Sequence, residues 1–505
     1  MKNLENLKKA GQSPWLDFIS KRIMDDGTLQ ALIGEGLSGL TSNPSIFDGS
    51  ISKTGDYDEE IVRLSAEGAG DFETYDELTT GDIRRAADLF RECYDSTKGA
   101  DGYVSLEINP ELSKDLEATI KEGKRVHAKV GRPNLMLKVP ATEECFEAIE
   151  EFTAAGINVN ATLIFSCDQY VKTAKAYIRG IRRAKAAGLD TSKIHSVASV
   201  FISRLDTAVD KLLPESDELR GCAAVANATV IYDEYRKLFD GFADGNAQRP
   251  LWASTSAKNP AYSDVKYIEE LICPGTVNTI PEKTLRAFMD HGKIGGMKYT
   301  ADQARDVLSR LASRGISIDE ICAKLLEDGI ASFEKAFKSL LSSIRAKADS
   351  LRIGAIAIGS DHAGYQLKSA IAEWLAGEGF RVIDRGTDSP DTSVDYPDFG
   401  EAVALDVACG RAKRGIVVCG SGIGISIAAN KVDGIRAALV HDENGAEMSR
   451  RHNDANVLAL SGRPFTKELA EKSKGIVKVW LETEFEGGRH QNRIDKIAAI
   501  ERRGK

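Results

Sequence analysis

None of the eight cysteines (Cys93, Cys145, Cys167, Cys222, Cys273, Cys322, Cys409, Cys419) stands in a Cys-x-x-Cys pair. Scattered through apolar runs, they suggest neither a disulfide framework nor a zinc site, and fit a reducing cytoplasm. Long apolar stretches are missing too: nowhere do about 18 uncharged apolar residues follow one another. The opening MKNLENLKKAGQSPW lacks the apolar centre of an export signal, so neither export nor a membrane span is implied. Basic blocks are also absent. The formal net charge of -9 is spread over interspersed signs, which argues against a nucleic-acid or polyanion binder and leaves small anions to local basic residues. No internal repeat or low-complexity tract interrupts the chain.

What is present suffices for more than one core, because 505 residues, 42% of them hydrophobic, exceed the size at which a single core keeps growing. The grammar changes near residue 350, which divides the chain into 1–350 and 351–505. From Ser317 to Leu351 apolar residues recur with helical spacing (Ile321, Leu325, Ile330, Phe333, Phe337, Leu340, Leu341, Ile344), and RIGAIAIGSDHAG then reads as strand and turn. The first part alternates amphipathic stretches with the apolar runs PWLDFI, GLSGLTSNPS, YVSLEI, NLMLKVPAT, GINVNATLIFS, HSVASVF, PLWAST and GTVNTIPE. Eight such runs predict a parallel (β/α)8 barrel of the TIM type, whose chemistry sits where the strands end. Nearly every run carries a polar residue there: Asp17, Asn43, Glu107, Lys138, Asn160 with Thr162, Ser199 and Ser254. The second part alternates strands RIGAIAIGSD, RVIDRG, RGIVVCG, GIRAALV and ANVLALSG with helices, which predicts a Rossmann-like, doubly wound α/β domain with a five-stranded parallel sheet.

Lys138 stands inside the apolar strand LMLKVP. Desolvation disfavours its charged form and frees the amine to attack a carbonyl, as in a Schiff-base lysine; the alternative is a lysine that snorkels out or closes an internal ion pair with Glu107. The motifs GLTSNPSIF, LMLKVPAT, GINVNATLIFS, SVFISRLD and WASTSAKNPAYSD, in that order, resemble those of the transaldolases, and the likeness spans residues 13 to 345. The resemblance implies transfer of dihydroxyacetone from a ketose phosphate to an aldose phosphate, with Lys138 forming the imine. By the same resemblance Asp17 moves the hydroxyl proton, Glu107 and Thr162 hold a catalytic water, Asn43 and Asn160 bind substrate hydroxyls, and Ser199 lies in the wall. Arg204 and Ser254 would hold the phosphate. One departure is visible: where many transaldolases have an arginine shortly after the Ser254 position, this chain reads Thr255, Ser256, Ala257, Lys258, so Lys258 would replace it. The fructose-6-phosphate aldolases share the lysine, but their chains are much shorter, and Glu107 favours the transferase.

In VVCGSGIGIS, Cys419 precedes a turn built on Gly420, Gly422 and Gly424. The spacing lacks the G-x-G-x-x-G of dinucleotide folds and the Lys-Ser/Thr of a P-loop, so nucleotide binding is the weaker reading; a small buried thiol beside packing glycines is the bland one. SDHAGYQLK, DYPDF, CGSGIGISIAANK, GIRAAL, RRHNDANVLALSGR and GGRHQNR together resemble the type B ribose-5-phosphate isomerases, from residue 353 to about 500. That resemblance implies removal of a proton beside a carbonyl to give an enediolate. Cys419, held as thiolate by the following N–H groups, is the base, and the amides of Gly420 to Gly424 hold the oxyanion. It further implies that His452 and Asp361 open the sugar ring, Ser421 (often threonine in the family) assists proton movement, and Asn453 binds a hydroxyl. Arg463, His362, and the pair Arg489 and Arg493, four apart on one helical face, would hold the phosphate.

The combined expectation is a cytoplasmic, bifunctional enzyme of the non-oxidative pentose phosphate pathway that acts on small sugar phosphates and needs no metal or cofactor. It is at least a homodimer through the isomerase domain, whose pocket draws residues from two subunits. The alternatives for the second part are isomerisation of a galactose-, allose- or tetrose-phosphate, or a non-catalytic oligomerising module.

Overall fold

The computed structural model describes residues 3–503. The chain divides into two compact units: the first runs to Tyr57 and resumes over Tyr75–Ser343, and the second comprises Asp58–Thr74 and the chain from Ile344.

In the first unit β1 (Gln12–Leu16), β2 (Gly39–Thr41), β3 (Tyr103–Glu107), β4 (Leu135–Pro140), β5 (Val159–Ile164), β6 (Ser196–Phe201), β7 (Gln248–Ala253) and β8 (Thr276–Ile280) close a barrel in sequence order. All neighbours are parallel, and β1 pairs with β8 along its whole length. These are the eight apolar runs of the sequence. Every residue of β3 to β6 is buried, as parallel strands covered outside by helices and filled inside by side chains must be. Polar residues just past the strands then start the helices: Asn43 caps Pro44–Ser52, Thr142 caps Glu143–Ala154 and Ser166 caps Cys167–Ala186, each accepting a backbone N–H. Gly39 opens β2 because a Cβ there would fall 2.6 Å from the buried Trp15 ring.

The second unit holds β9 (Ala355–Ser360), β10 (Arg381–Asp384), β11 (Arg414–Cys419), β12 (Ala437–Leu439) and β13 (Val457–Ser461), all parallel in the order β10-β9-β11-β13-β12. One sheet face packs on Leu367, Ile371 and Trp480, the other on Val403, Ile425 and Ala429. The strand order reverses between β9 and β11, which opens a crevice at their carboxyl ends. The helix read as ending at Leu351 instead runs Ile318–Gly354, and β9 begins at Ala355 rather than Arg352. No proline interrupts the helix, and after Gly329, which it passes through, no further glycine comes before Gly354, where it ends. No helix among the described residues is long and apolar enough to cross a membrane.

The amino end of the barrel is closed by Asp101, which accepts from Ser13 Oγ (2.6 Å), Arg249 Nη1 (3.3 Å) and Trp15 Nε1 (3.4 Å). Keeping the branched side-chain shape but not the charge tests this floor. Asp101→Leu leaves the Arg249 guanidinium without its carboxylate, and we expect a loss of about 3 kcal/mol in denaturant unfolding of the barrel.

Candidate active sites

The barrel strands bring their polar ends around one cavity. Asp17 and Asn43 follow β1 and β2, Lys138, Thr162 and Ser199 lie on β4, β5 and β6, and Ser254 follows β7; all six line it, together with Arg204 and Lys258. Glu107 ends β3 in register with Lys138, which explains why the two meet: Glu107 Oε2 is 3.3 Å from Lys138 Nζ, with both side chains almost wholly enclosed. The Ser42 carbonyl accepts a second Lys138 contact at 3.2 Å. Asn160 is fully enclosed instead of lying on the wall. Its amide donates to Ser105 Oγ (3.0 Å) and accepts from Ser199 Oγ (2.6 Å), so it orients a residue that does face the cavity.

Burial pushes the Glu107 carboxyl up to about 7 against the opposing pull of Lys138. Burial also raises Asp17, while Lys138, the Thr41 hydroxyl 2.8 Å away and Lys258 pull it back. The Asp17 carboxyl, the Lys138 amine and the buried, unpartnered Thr162 hydroxyl thus line one cavity, and the Glu107 carboxyl contacts the amine. That set can add an amine to a carbonyl and move the protons which dehydration requires.

Cations gather elsewhere on the same wall. Arg204 is half-buried, with its guanidinium 5.2 Å from the Phe201 ring centre, and burial lowers its pKa. Lys258 donates to Ser256 Oγ at 2.8 Å. Neither has a carboxylate partner among the described residues, so both remain available to an oxyanion. Ser254 beside them holds a left-handed backbone (φ +55°), a strained conformation for a residue with a side chain, and its Oγ lies 3.1 Å from Ser203 Oγ. Asn43 spends its oxygen on the Ile46 N–H (3.0 Å), which leaves its amide protons for a ligand. Thr41 and Phe333 also line the wall, a place the sequence reading did not give them. Thr41 holds Asp17, and Phe333 places its ring centre 5.3 Å from Lys138 Nζ. Phe333 is legible as an apolar position in a helical rhythm; nothing local announces that its helix crosses the cavity.

In the second unit Asp361 follows β9 and Cys419 ends β11, on the two sides of the crevice. Cys419 is buried and its Sγ accepts the Gly422 N–H at 3.2 Å. Gly422 has φ +74°, and a Cβ there would lie 2.5 Å from Leu439 Cδ1, so only glycine closes this turn. Gly424 packs under the Tyr396 ring, whereas Gly420 is open toward Ala363 and Arg463. Exposed Ser421 accepts the Ile423 N–H at 3.3 Å. Asp361 accepts the Gly364 N–H (2.9 Å) and His362 Nδ1 the Val394 N–H (3.2 Å), and a cleft beside them is lined by His362 and Arg463.

His452, Asn453, Arg489 and Arg493 lie elsewhere. The helix Glu443–Asn453 leaves β12 at its carboxyl end and returns to the start of β13, so its last residues sit at the opposite edge of the sheet. Because Gly415 pairs with Val457 and Cys419 with Ser461, the level of Val457 is four residues, about 13 Å, below the thiol. His452 stacks there on the buried His490, with ring centres 4.3 Å apart and planes 9° from parallel. Arg489 and Arg493 each approach a His490 ring nitrogen at 3.3 Å. They do not share a helical face: the glycines at 487 and 488 adopt positive φ and hold Arg489 in the short turn Gly488–His490, and the helix bearing Arg493 starts at Gln491. His490 lies inside the motif GGRHQNR, but the sequence reading gave it no role. Withdrawal from water and the neighbouring His452 and arginine charges lower its pKa.

The family model for transaldolase/fructose-6-phosphate aldolase matches residues 14–344, and that for ribose/galactose isomerase matches 356–497. The transaldolase of Saccharopolyspora erythraea is 45% identical over 69% of this chain and 98% of its own length. Transaldolase 1 of Streptomyces coelicolor is 44% identical over 69% and 95%. Ribose-5-phosphate isomerase B of Clostridium thermocellum, a solved structure, is 53% identical over 30% of this chain and 99% of that one, with a TM-score of 0.29. The chain therefore belongs to the transaldolase/fructose-6-phosphate aldolase family through its barrel, and joins to it a ribose/galactose isomerase domain in a single bifunctional enzyme of the pentose phosphate pathway.

Proposed function

We propose that the barrel transfers dihydroxyacetone between sugar phosphates through an imine on Lys138, and that the second unit interconverts ribose 5-phosphate and ribulose 5-phosphate through an enediolate at Cys419. The observation that carries the first half is an enclosed amine 3.3 Å from a carboxyl poised near neutrality, in a cavity that also holds two unneutralised cations.

In this reading Arg204, Lys258 and Ser254 hold the phosphate of sedoheptulose 7-phosphate or fructose 6-phosphate. The Lys138 amine adds to C2. Protonated Glu107 gives its proton to the departing hydroxyl, water leaves and the iminium forms. Asp17 takes the C4 hydroxyl proton, the C3–C4 bond breaks into the iminium, and the aldose leaves an enamine behind. Addition of this enamine to glyceraldehyde 3-phosphate or erythrose 4-phosphate, with Asp17 returning its proton, runs the cycle backward. Glu107, now a carboxylate, and Thr162 deliver the water that frees the product.

At Cys419 the sulfur removes the proton from the carbon beside the carbonyl and returns it to the neighbouring carbon, while the N–H groups of residues 420 to 424 hold the oxyanion. Asp361 and Ser421 handle the oxygen-bound protons, and Arg463 with His362 meets the phosphate. His452, Asn453, Arg489 and Arg493 lie at the far edge of the same sheet, so we assign them to the site of a second copy in a symmetric dimer. Exposed Ile423 and Ile427, one helical turn apart beside the glycine turn, support such a contact.

Three outcomes test this reading. Lys138→Ala should abolish borohydride trapping of the sugar and lower transfer by at least about 1,000-fold while sparing isomerisation; Cys419→Ala should lower isomerisation by about 100- to 10,000-fold and spare transfer. Retention of both activities by either variant would reject the corresponding site. The rate of imine formation in a single turnover should carry an ionisation near 7 and lose, as pH rises through it, the proton that Glu107 supplies; Glu107→Gln should erase that limb. Mixing Cys419→Ala with His452→Asn chains should restore about a quarter of the wild-type isomerase activity, since half the dimers would hold one intact shared site. A mixture as inactive as its components would place both groups in one chain.

A further inference from the structure

Strand β5 is irregular beside the catalytic cavity. Leu163 holds a left-handed backbone (φ +59°), and the pairing of β5 with β6 slips between Ala161 and Ile164. Thr162, whose buried hydroxyl lacks a hydrogen-bond partner on the cavity wall, immediately precedes that strained residue. A leucine remains in this conformation only where its surroundings hold it there.

The restraint is Gln169. It occupies the third position of the helix Cys167–Ala186, and its own N–H is taken by the Ser166 cap at 3.1 Å. A glutamine so placed ordinarily reaches back to the N–H of the cap residue. Here the buried side chain reaches further: its oxygen accepts the Phe165 N–H (3.0 Å), and its nitrogen donates to the carbonyls of Ala141 (2.7 Å) and Leu163 (2.9 Å). Ala141 stands one residue past the lysine strand, and its N–H donates to the Thr162 carbonyl at 2.8 Å. A single amide group therefore ties the end of β4 to both sides of the strained turn in β5. The Phe165 carbonyl is held in addition by Asn227 Nδ2 (2.7 Å) and Cys322 Sγ (3.4 Å).

We infer that Gln169 is a positioning residue for dihydroxyacetone transfer: its clamp on Ala141, Leu163 and Phe165 keeps the Thr162 hydroxyl at its post opposite Lys138 and Glu107. The inference rests on the imine reading of the barrel. Only glutamine presents one acceptor to Phe165 and two donors to the facing carbonyls; an ionised glutamate turns an oxygen toward both. Nothing suggests that Gln169 touches substrate, so its effect belongs to the step that Thr162 serves.

The test compares Gln169→Met, Gln169→Glu, Thr162→Ala and the double variant Gln169→Met/Thr162→Ala in the full chain. Each Gln169 variant should lower kcat for transfer by at least about 10-fold with the donor KM within about twofold, a loss larger than the unfolded fraction at the assay temperature accounts for. In the Thr162→Ala background the Met change should cost less than about twofold more, because the residue it positions is already gone. A Gln169→Met enzyme with wild-type kcat, a loss that tracks the unfolded fraction, or losses that multiply in the double variant would overturn the inference. Should the Met variant not fold, the glutamate variant, which keeps the volume and the Phe165 contact, carries the comparison. A wild-type chain that trapped no sugar on borohydride reduction would overturn the imine reading and this inference together, whereas trapping with unchanged Gln169 variants would overturn only the latter.

Discussion

Parallel strands end on one side. That constraint governs both units, because every strand delivers its last residues, and the cap of the helix after it, to the same rim. In the barrel the rim is a ring, so residues from seven different strands or strand ends meet in a single cavity. In the open sheet the rim is a line, and only the reversal between β9 and β11 makes a crevice in it. Asp361 and Cys419 stand on either side of that reversal. His452, Asn453, Arg489 and Arg493 sit on the opposite edge, a separation that a closed ring of strand ends does not produce.

Within the barrel, the Lys138–Glu107 contact joins two almost wholly enclosed ionisable groups. The register that pairs β3 with β4 sets these two residues side by side, and enclosure then works on both carboxyls of the cavity in the same direction. An ion pair in such a place contributes little to stability, since desolvation offsets most of the attraction. What enclosure does change is the Glu107 carboxyl, which burial pushes up to about 7. Neighbouring groups hold the arrangement: Thr41 donates to Asp17, Asn160 accepts from Ser199, and the Gln169 amide spans β4 and β5.

The sequence reading reached the strands more easily than the walls of the sites. All eight barrel strands and all five sheet strands were legible, because an apolar run bounded by turn residues is a local signal that burial on both faces requires. Lys138 was legible for the same reason, as a charge where the pattern allows none. Phe333 and Gln169 were not. Each is an ordinary residue of its own helix, and its role comes from a partner far away in the chain. The helix end at Gly354 was misplaced by three residues because β-like composition after Leu351 competes with a helix that nothing stops.

By itself, then, the sequence determined which elements form, their parallel order and the residue types at their carboxyl ends, since spacing, burial pattern and residue type act over a few neighbours. Only the tertiary structure decided which groups share a pocket. Strand register brought Glu107 to Lys138, and the crossing of the last barrel helix brought Phe333 over them. The direction of the helix before β13 carried His452 away from Cys419. Register, crossing and direction depend on how whole elements pack, and no single stretch of sequence contains that information.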